Sequence, residues 1–287
     1  MEISRKDFLK AAAGATGLML LQPPAMALAK ETQTHAGVAM LIDVTKCVNC
    51  WWCYAACKEC NQLPETVKPD PADPPALSPS VWTTLHPVQK GESWVSRKQA
   101  CNHCTEAACV EVCPTGALSY NHLGFVQYDK YKCSGCGYCA EFCPFKVPQM
   151  EVNKVTGVAI MNKCTFCHDR VTNGEQPACA AACTNGAIKF GQRSDLITEG
   201  EERVKALRQD NPAAALYGVD ELHGLHVMYV LDDSPETYGL PSAPEIPAAT
   251  SVREVFRWLG SGLAIFIMAG FGLNYLVSRL RMSRGEK

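Results

Sequence analysis

The sequence predicts an α+β chain in which short strands and helices are organised by repeated cysteine runs, followed by one C-terminal membrane-crossing helix. Three observations predict it. The cysteines recur in four groups of one spacing pattern, brief apolar runs alternate with turn residues between the groups, and twenty residues from Trp258 to Val277 carry no charge.

The totals narrow the class further. A chain of 287 residues with 47% hydrophobic content has ample material for a packed core. A formal charge of -2 and a pI near 6.4, with no Lys/Arg block, argue against nucleic acid as a partner. Seventeen cysteines leave disulfides, zinc or iron–sulfur clusters, and the odd count sets at least one apart.

Residues 1–29 read as a cleavable export signal, with a charged start, an apolar stretch from Ala11 to Leu21, and small residues at Ala27 and Ala29. Pro23 and Pro24 argue against an ordinary amphipathic helix there. Ser4-Arg5-Lys6-Asp7-Phe8-Leu9-Lys10 is similar to a twin-arginine signal, with Lys6 where the second arginine is expected. Either the variant is tolerated or the chain is exported with a signal-bearing partner.

One domain is expected over residues 30–250. Within it, residues 61–100 centre on "VKPDPADPPALSP" and are expected to form an irregular linker that covers the surface or meets a partner. "ALSY" and "FVQY" around "NHLG" (117–128) predict a hairpin. "VAIM" (158–161), "AIKF" (187–190) and "HVMYV" (226–230) predict further short strands, and "SDLITEGEERVKALRQD" predicts a helix capped by Ser194 or Asp195. The cysteine runs, rather than a broad sheet, are expected to organise the centre.

Residues 251–287 are read as a transmembrane anchor with a basic cytoplasmic tail. Twenty uncharged residues make a helix of about 30 Å, the thickness of a bilayer's hydrocarbon core. Trp258 and Tyr275 suit the interfaces, and Arg279, Arg281, Arg284 and Lys287 put the C-terminus in the cytoplasm, so the preceding domain faces the periplasmic side. Gly260, Gly262, Gly270 and Gly272 would admit a second membrane helix and Asn274 requires a polar partner, which implies a membrane-embedded companion.

The chemistry lies in the runs. They are Cys47, Cys50, Cys53 and Cys57; Cys101, Cys104, Cys109 and Cys113; Cys133, Cys136, Cys139 and Cys143; and Cys164, Cys167, Cys179 and Cys183. Each opens with C-x-x-C and closes with C-x-x-x-C, and the first and third keep the full spacing of bacterial ferredoxins. Thiolates two residues apart on a tight loop wrap one face of a cubane, while the fourth points elsewhere and serves a second cluster. Four such runs therefore predict tandem ferredoxin-like modules holding four [4Fe-4S] clusters, with sixteen cysteines as iron ligands. Cys60 stands outside every repeat and is read as a small core residue or free thiol, not a ligand. Zinc gives no reason for a third cysteine at the same interval. Disulfides between cysteines so close in sequence would be strained. Either would make the chain a structural module without a redox role.

Lys46, Lys132 and Lys163 each precede a first cysteine, either as solvated surface or as cations that ease reduction of an anionic cluster. His103 and His168 fall off the ligand register and are read as packing or surface residues. No phosphate-cradling loop and no Ser–His–Asp or His–Glu arrangement can be assembled, so no catalytic residue is assigned. The chain is expected to move electrons.

With "CPTGAL" at 113–118, "CPFKVP" at 143–148 and "KCTFCHDRVTNGEQPACAAAC" at 163–183, the sequence resembles the four-cluster electron-transfer subunits of molybdopterin oxidoreductases and related hydrogenases. "HVMYVL", "YGLP" and the C-terminal apolar segment are most similar to the beta subunit of membrane-bound formate dehydrogenase. The resemblance implies a molybdenum or tungsten pterin catalytic partner, a membrane cytochrome b as electron acceptor, and quinone beyond it. It also implies the pairing of runs: Cys47, Cys50 and Cys53 with Cys183; Cys57 with Cys164, Cys167 and Cys179; Cys101, Cys104 and Cys109 with Cys143; and Cys113 with Cys133, Cys136 and Cys139. An export signal on the chain itself is a feature of some membrane hydrogenases, which keeps a nickel–iron partner as the alternative.

Overall fold

In the computed structural model, residues 37–64, 69–70, 72–91, 93–247, 250, 262–263, 266–275 and 279 are described. Ten strands and six helices appear among them: β1 (Val38–Asp43), α1 (Trp52–Cys60), β2 (Thr84–Lys90), β3 (Ser93–Gln99), α2 (Ala108–Glu111), β4 (Leu118–Tyr120), β5 (Val126–Tyr128), α3 (Tyr138–Glu141), β6 (Gln149–Val152), β7 (Ala159–Asn162), α4 (His168–Thr172), α5 (Ala178–Ala181), β8 (Ile188–Gln192), α6 (Arg193–Leu207), β9 (Ala215–Tyr217) and β10 (Val227–Leu231).

The centre is a four-stranded sheet in the order β8-β1-β10-β9, contrary to the expectation that cysteine runs alone would organise it. β1 and β10 run parallel with Met40 opposite Val227, while β8 and β9 pair antiparallel at the flanks. Every residue of β1 and β10 is buried, as befits strands covered on both faces. Alternation divides their side chains. Ala39, Leu41, Met228 and Val230 pack with Leu196 and Val204 of α6, whereas Met40, Ile42, Val227 and Tyr229 pack with Cys53, Cys179, Phe125 and Phe166. The sheet is therefore a wall with a helix behind it and the cysteine loops in front. Gly200 lets α6 approach closely, since a Cβ there would lie 2.7 Å from Leu216 Cδ1.

The β4–β5 hairpin forms as expected, with Leu118 opposite Tyr128. β7 realises "VAIM" and pairs with β6, a strand the sequence reading had not drawn. The helix α6 begins at Arg193, one residue before the expected caps, and Gln192 precedes it without a side-chain cap. The reason is tertiary. Arg193 is fully buried and donates to the carbonyls of Leu225, Gly218 and Val219, which fixes the chain before the helix. Asp195 is left in the first turn, where the helix dipole favours it.

The segment expected to be irregular, 61–100, contains a seven-residue ribbon pair. β2 and β3 are antiparallel from Thr84 opposite Gln99 to Lys90 opposite Ser93, with Pro87 opposite Ser96. A two-stranded ribbon leaves each strand one outer edge, and proline is tolerated where its nitrogen faces that edge. Leu85 and Val88 then anchor the ribbon in the core.

The expected export signal at 1–29 lies outside the described residues. Of the expected anchor, residues 262–263, 266–275 and 279 are described; they are helical and exposed. Among the described residues no helix is long and apolar enough to cross a membrane.

Candidate iron–sulfur centres

All four runs make the same turn. The second residue after the first cysteine has positive φ in each: Asn49 (55°), His103 (47°), Gly135 (71°) and Phe166 (60°). This conformation turns the residue's N–H back onto the first sulfur. Phe166 N lies 3.5 Å from Cys164 Sγ, and the N–H groups of Asn49, His103 and Gly135 bear likewise on Cys47, Cys101 and Cys133. A left-handed conformation costs a non-glycine residue about 1–2 kcal/mol. Three runs tolerate that strain, and such concentration of strain is typical of functional sites. In the third run glycine is obligatory, since a Cβ on Gly135 would lie 2.2 Å from Ala159 O.

The first and third runs repeat more than cysteines. Asp43 accepts from Thr45 N at 3.0 Å and Asp129 from Tyr131 N at 3.0 Å, each opening a short 3-10 turn into its first cysteine. Lys46 and Lys132 pair with those aspartates at 3.6 and 3.4 Å and keep 41% and 62% of their side chains exposed. Lys132 is thus solvated surface, Lys46 is partly exposed but also lines the first cysteine cavity, and Lys163 is 1% exposed.

Helix packing brings the runs together in pairs. α1 of the first run packs on α5 of the fourth, and α2 of the second on α3 of the third. Site I is a cavity of about 440 Å³ lined by Cys47, Cys50, Cys53 and Cys183. Site II, about 300 Å³, is lined by Cys57, Cys164, Cys167 and Cys179. Cys101, Cys104, Cys109 and Cys143 are mutual electrostatic neighbours and make up site III. Site IV, about 330 Å³, is lined by Cys113, Cys133, Cys136 and Cys139. Cys60 is a free thiol exposed at the end of α1, which corrects the core alternative of its reading and keeps the free-thiol one.

Burial dominates the ionisation of these thiols. It pushes Cys53 and Cys57 up to about 12 and Cys139 up to about 11, and raises Cys104 well above the ordinary thiol value. Cys133 runs the other way: burial acts to raise it, but the backbone N–H groups of Met161 and Gly135 help to outweigh burial and hold it low. Thiols gathered this way ionise when a metal group takes them, so loading releases protons.

Two buried lysines face this sulfur. Lys98, on β3 and 3% exposed, lines site I; burial acts to lower its pKa, but the thiolates of Cys179, Cys164 and Cys53, with Tyr229, hold it above the usual lysine range. Lys163 donates to Cys164 O at 3.0 Å and favours the ionised forms of Cys101, Cys109 and Cys143. The sequence reading found Lys163 but missed Lys98, which lay in the segment taken for a linker. His103 is fully buried, donates from Nδ1 to Val126 O at 3.1 Å and packs 4.8 Å from Phe166, whereas His168 is half-exposed beside Asp169.

The donor set suits a group larger than one ion. Thiolates bound to a single zinc at about 2.3 Å stand about 3.8 Å from one another. Among the described residues no three His, Cys, Asp or Glu are gathered to hold one metal ion, and none of the seventeen cysteines is disulfide-bonded. The sulfurs are spread around cavities instead. Five buried polar atoms also lack a protein hydrogen-bond partner: Trp51 Nε1, Thr83 Oγ1, His103 Nε2, Thr105 Oγ1 and Tyr128 OH. Trp51 lines site I, Thr83 site II and Tyr128 site IV, while His103 and Thr105 flank Cys104. Orphaned donors beside sulfur-lined cavities are what an acceptor-rich iron–sulfur cube would satisfy.

Known proteins agree with this chemistry. Residues 93–193 match the family described as a 4Fe-4S dicluster domain. The chain is 37% identical to the nitrate-inducible formate dehydrogenase iron–sulfur subunit of Escherichia coli (strain K12), over 84% of this chain and 85% of that protein. The chain belongs to the formate dehydrogenase iron–sulfur subunit family. The formate dehydrogenase iron–sulfur subunit of Haemophilus influenzae is also 37% identical, over 75% of this chain and 72% of its own. The hydrogenase-2 operon protein HybA of Escherichia coli O157:H7 is 28% identical, over 96% of this chain and 95% of its own. As a member of this family the chain is a non-catalytic electron-transfer subunit with 4Fe-4S clusters in a mixed α/β fold.

Proposed function

We propose that the subunit holds four [4Fe-4S] clusters, one at each of sites I–IV, with the sixteen cysteines of the runs as ligands and Cys60 outside them. The observation that carries this reading is the composition of the cavities. Each takes three cysteines from one run and one from that run's packing partner: Cys183 joins the first run, Cys57 the fourth and Cys113 the third. Each cluster, when bound, supplies a one-electron couple.

The chain's own residues do the rest. Left-handed turns aim backbone N–H groups at the sulfurs, Lys98 and Lys163 offset negative charge, and the apolar front of the sheet excludes water. Neighbouring sulfurs suggest the order of the sites: Cys179 acts on Cys53, Cys164 on Cys101 and Cys139 on Cys109, which gives I–II–III–IV. Cys50 and Cys136, at the two ends of that order, are exposed. Exposed Val48 and Trp52 accompany site I, and exposed Tyr131 and Tyr138 accompany site IV. Such ends suit handover to partner subunits.

In this reading the subunit relays electrons from a molybdopterin catalytic subunit that oxidises formate to a membrane cytochrome b. It would sit on the periplasmic side of the inner membrane, exported by segment 1–29 and held by segment 251–287. A second reading, in which a nickel–iron hydrogenase supplies the electrons, is favoured by the match to HybA over 96% of this chain. Iron and acid-labile sulfide near sixteen each per chain, with paramagnetic signals after dithionite, support the relay; zinc or no metal rejects it. Co-purification of the membrane complex separates the partners: a molybdopterin subunit supports the first reading, and a nickel–iron subunit replaces it with the second.

A further inference from the structure

Buried polar atoms without partners are costly, so a fold retains them where something outside the chain satisfies them. Among the described residues, the five that remain all stand at the cysteine sites. Three are placed by the cavities themselves. The Thr83 side chain, 2% exposed, lines site II together with Cys57, and its hydroxyl completes no hydrogen bond within the protein. The Tyr128 hydroxyl, at the cavity of site IV with Cys133, likewise completes no hydrogen bond within the protein. The Trp51 indole lines site I, held there by a left-handed backbone with φ of 65°.

We propose that Trp51, Thr83 and Tyr128 are tuning donors, each giving its single N–H or O–H to a sulfur of the iron–sulfur group at its own site. The inference rests on the reading that these sites hold clusters. A hydrogen bond to sulfur favours the more negative, reduced state and raises the midpoint potential of the cluster that receives it. An indole, an aliphatic hydroxyl and a phenol differ in donor strength and are dealt one to a site. The potentials of sites I, II and IV are thereby adjusted separately, over and above the backbone N–H groups that all four share. The proline-rich stretch gains a role as well, because it delivers Thr83 to site II.

The test uses the full chain in its membrane complex and replaces one donor at a time, as Trp51→Phe, Thr83→Val and Tyr128→Phe. The clusters are followed by redox titration monitored by electron paramagnetic resonance. In each variant one cluster is expected to lose about three- to tenfold in its reduced-to-oxidised ratio at fixed potential, tenfold being about 59 mV for a one-electron couple. The other three clusters hold their midpoints, and Thr83→Ser restores the wild-type value. Four retained clusters with unmoved midpoints, or midpoints that all move together, overturn the proposal. Loss of one cluster in Thr83→Val that Thr83→Ser repairs supports the hydrogen bond, and loss in both overturns it in favour of packing. Iron-free wild-type protein would instead bring down the cluster reading on which the proposal stands.

Discussion

Replacing Lys98 by methionine removes one buried positive charge while keeping most of the side chain's volume. Lys98 lines the cavity of site I, and for an ammonium about 6 Å from the centre of a group held there the interaction follows from Coulomb's law. Reduction adds one negative charge there. At an effective dielectric of about 20, that charge and the ammonium attract by about 3 kcal/mol. This is about two powers of ten in the redox equilibrium, or about 120 mV for a one-electron couple. Lys98→Met is therefore expected to lower the site I midpoint by about 100 mV. The site II midpoint should fall too, because Cys179 and Cys164 are the thiolates that act most on this lysine. Redox titration of the reduced complex reads both, and Lys98→Arg, which keeps the charge, should stay within about 30 mV of wild type. Midpoints of sites I and II that move less than about 20 mV in Lys98→Met would refute the electrostatic reasoning, as would an equal shift of all four.

Other expectations follow from single positions. Cys183→Ser should lose the site I cluster, lowering iron by about four per chain, while Cys60→Ser leaves iron and sulfide unchanged; metal analysis decides. Gly135→Ala meets Ala159 O at 2.2 Å and should lose the site IV signal. Gly137→Ala, with nothing within 4 Å, costs only the left-handed strain of about 1–2 kcal/mol, so the two should differ in iron content and melting temperature. His226 is 1% exposed, donates to Val38 O at 2.7 Å and is pushed from 6.5 to about 4 by burial, with Arg193 adding to the shift. Between those pH values the unfolded chain binds a proton that the folded one refuses. The fold thus loses up to about 3 kcal/mol as pH falls through this window. His226→Gln should flatten that slope in thermal melts taken from pH 7 to 5, and an unchanged slope would contradict the assignment.

Much of the site was legible because its chemistry is written in spacing. The C-x-x-C and C-x-x-x-C intervals fix how thiolates leave a turn, and they pointed to cubanes whatever the surroundings. The β4–β5 hairpin was equally local, set by "NHLG" between two alternating runs. The misses have a common physical origin. "AIKF" and "HVMYV" were read as strands and are β8 and β10, but β1 is buried on both faces and lacks the alternation that marks a half-exposed strand, and the sheet it forms with β10 joins residues nearly 190 positions apart. The β2–β3 ribbon was hidden by prolines that a free edge tolerates. Lys98 and Thr83 went unnoticed because nothing local sets a buried cation or hydroxyl apart from a solvated one. The repeat of Asp43 and Lys46 before Cys47 in Asp129 and Lys132 before Cys133 was visible in the sequence and would have shown that those two lysines have carboxylate partners.

The sequence by itself determined which thiols are on offer, since the type, number and interval of the cysteines are covalent facts that limit which metal group they would suit. The tertiary structure alone decided which runs face one another, through the packing of α1 on α5 and α2 on α3. It also decided which charges are buried against the sulfur. Pairing and burial depend on contacts between segments far apart in the chain, and a sheet wall that places them carries no signature in any one of them.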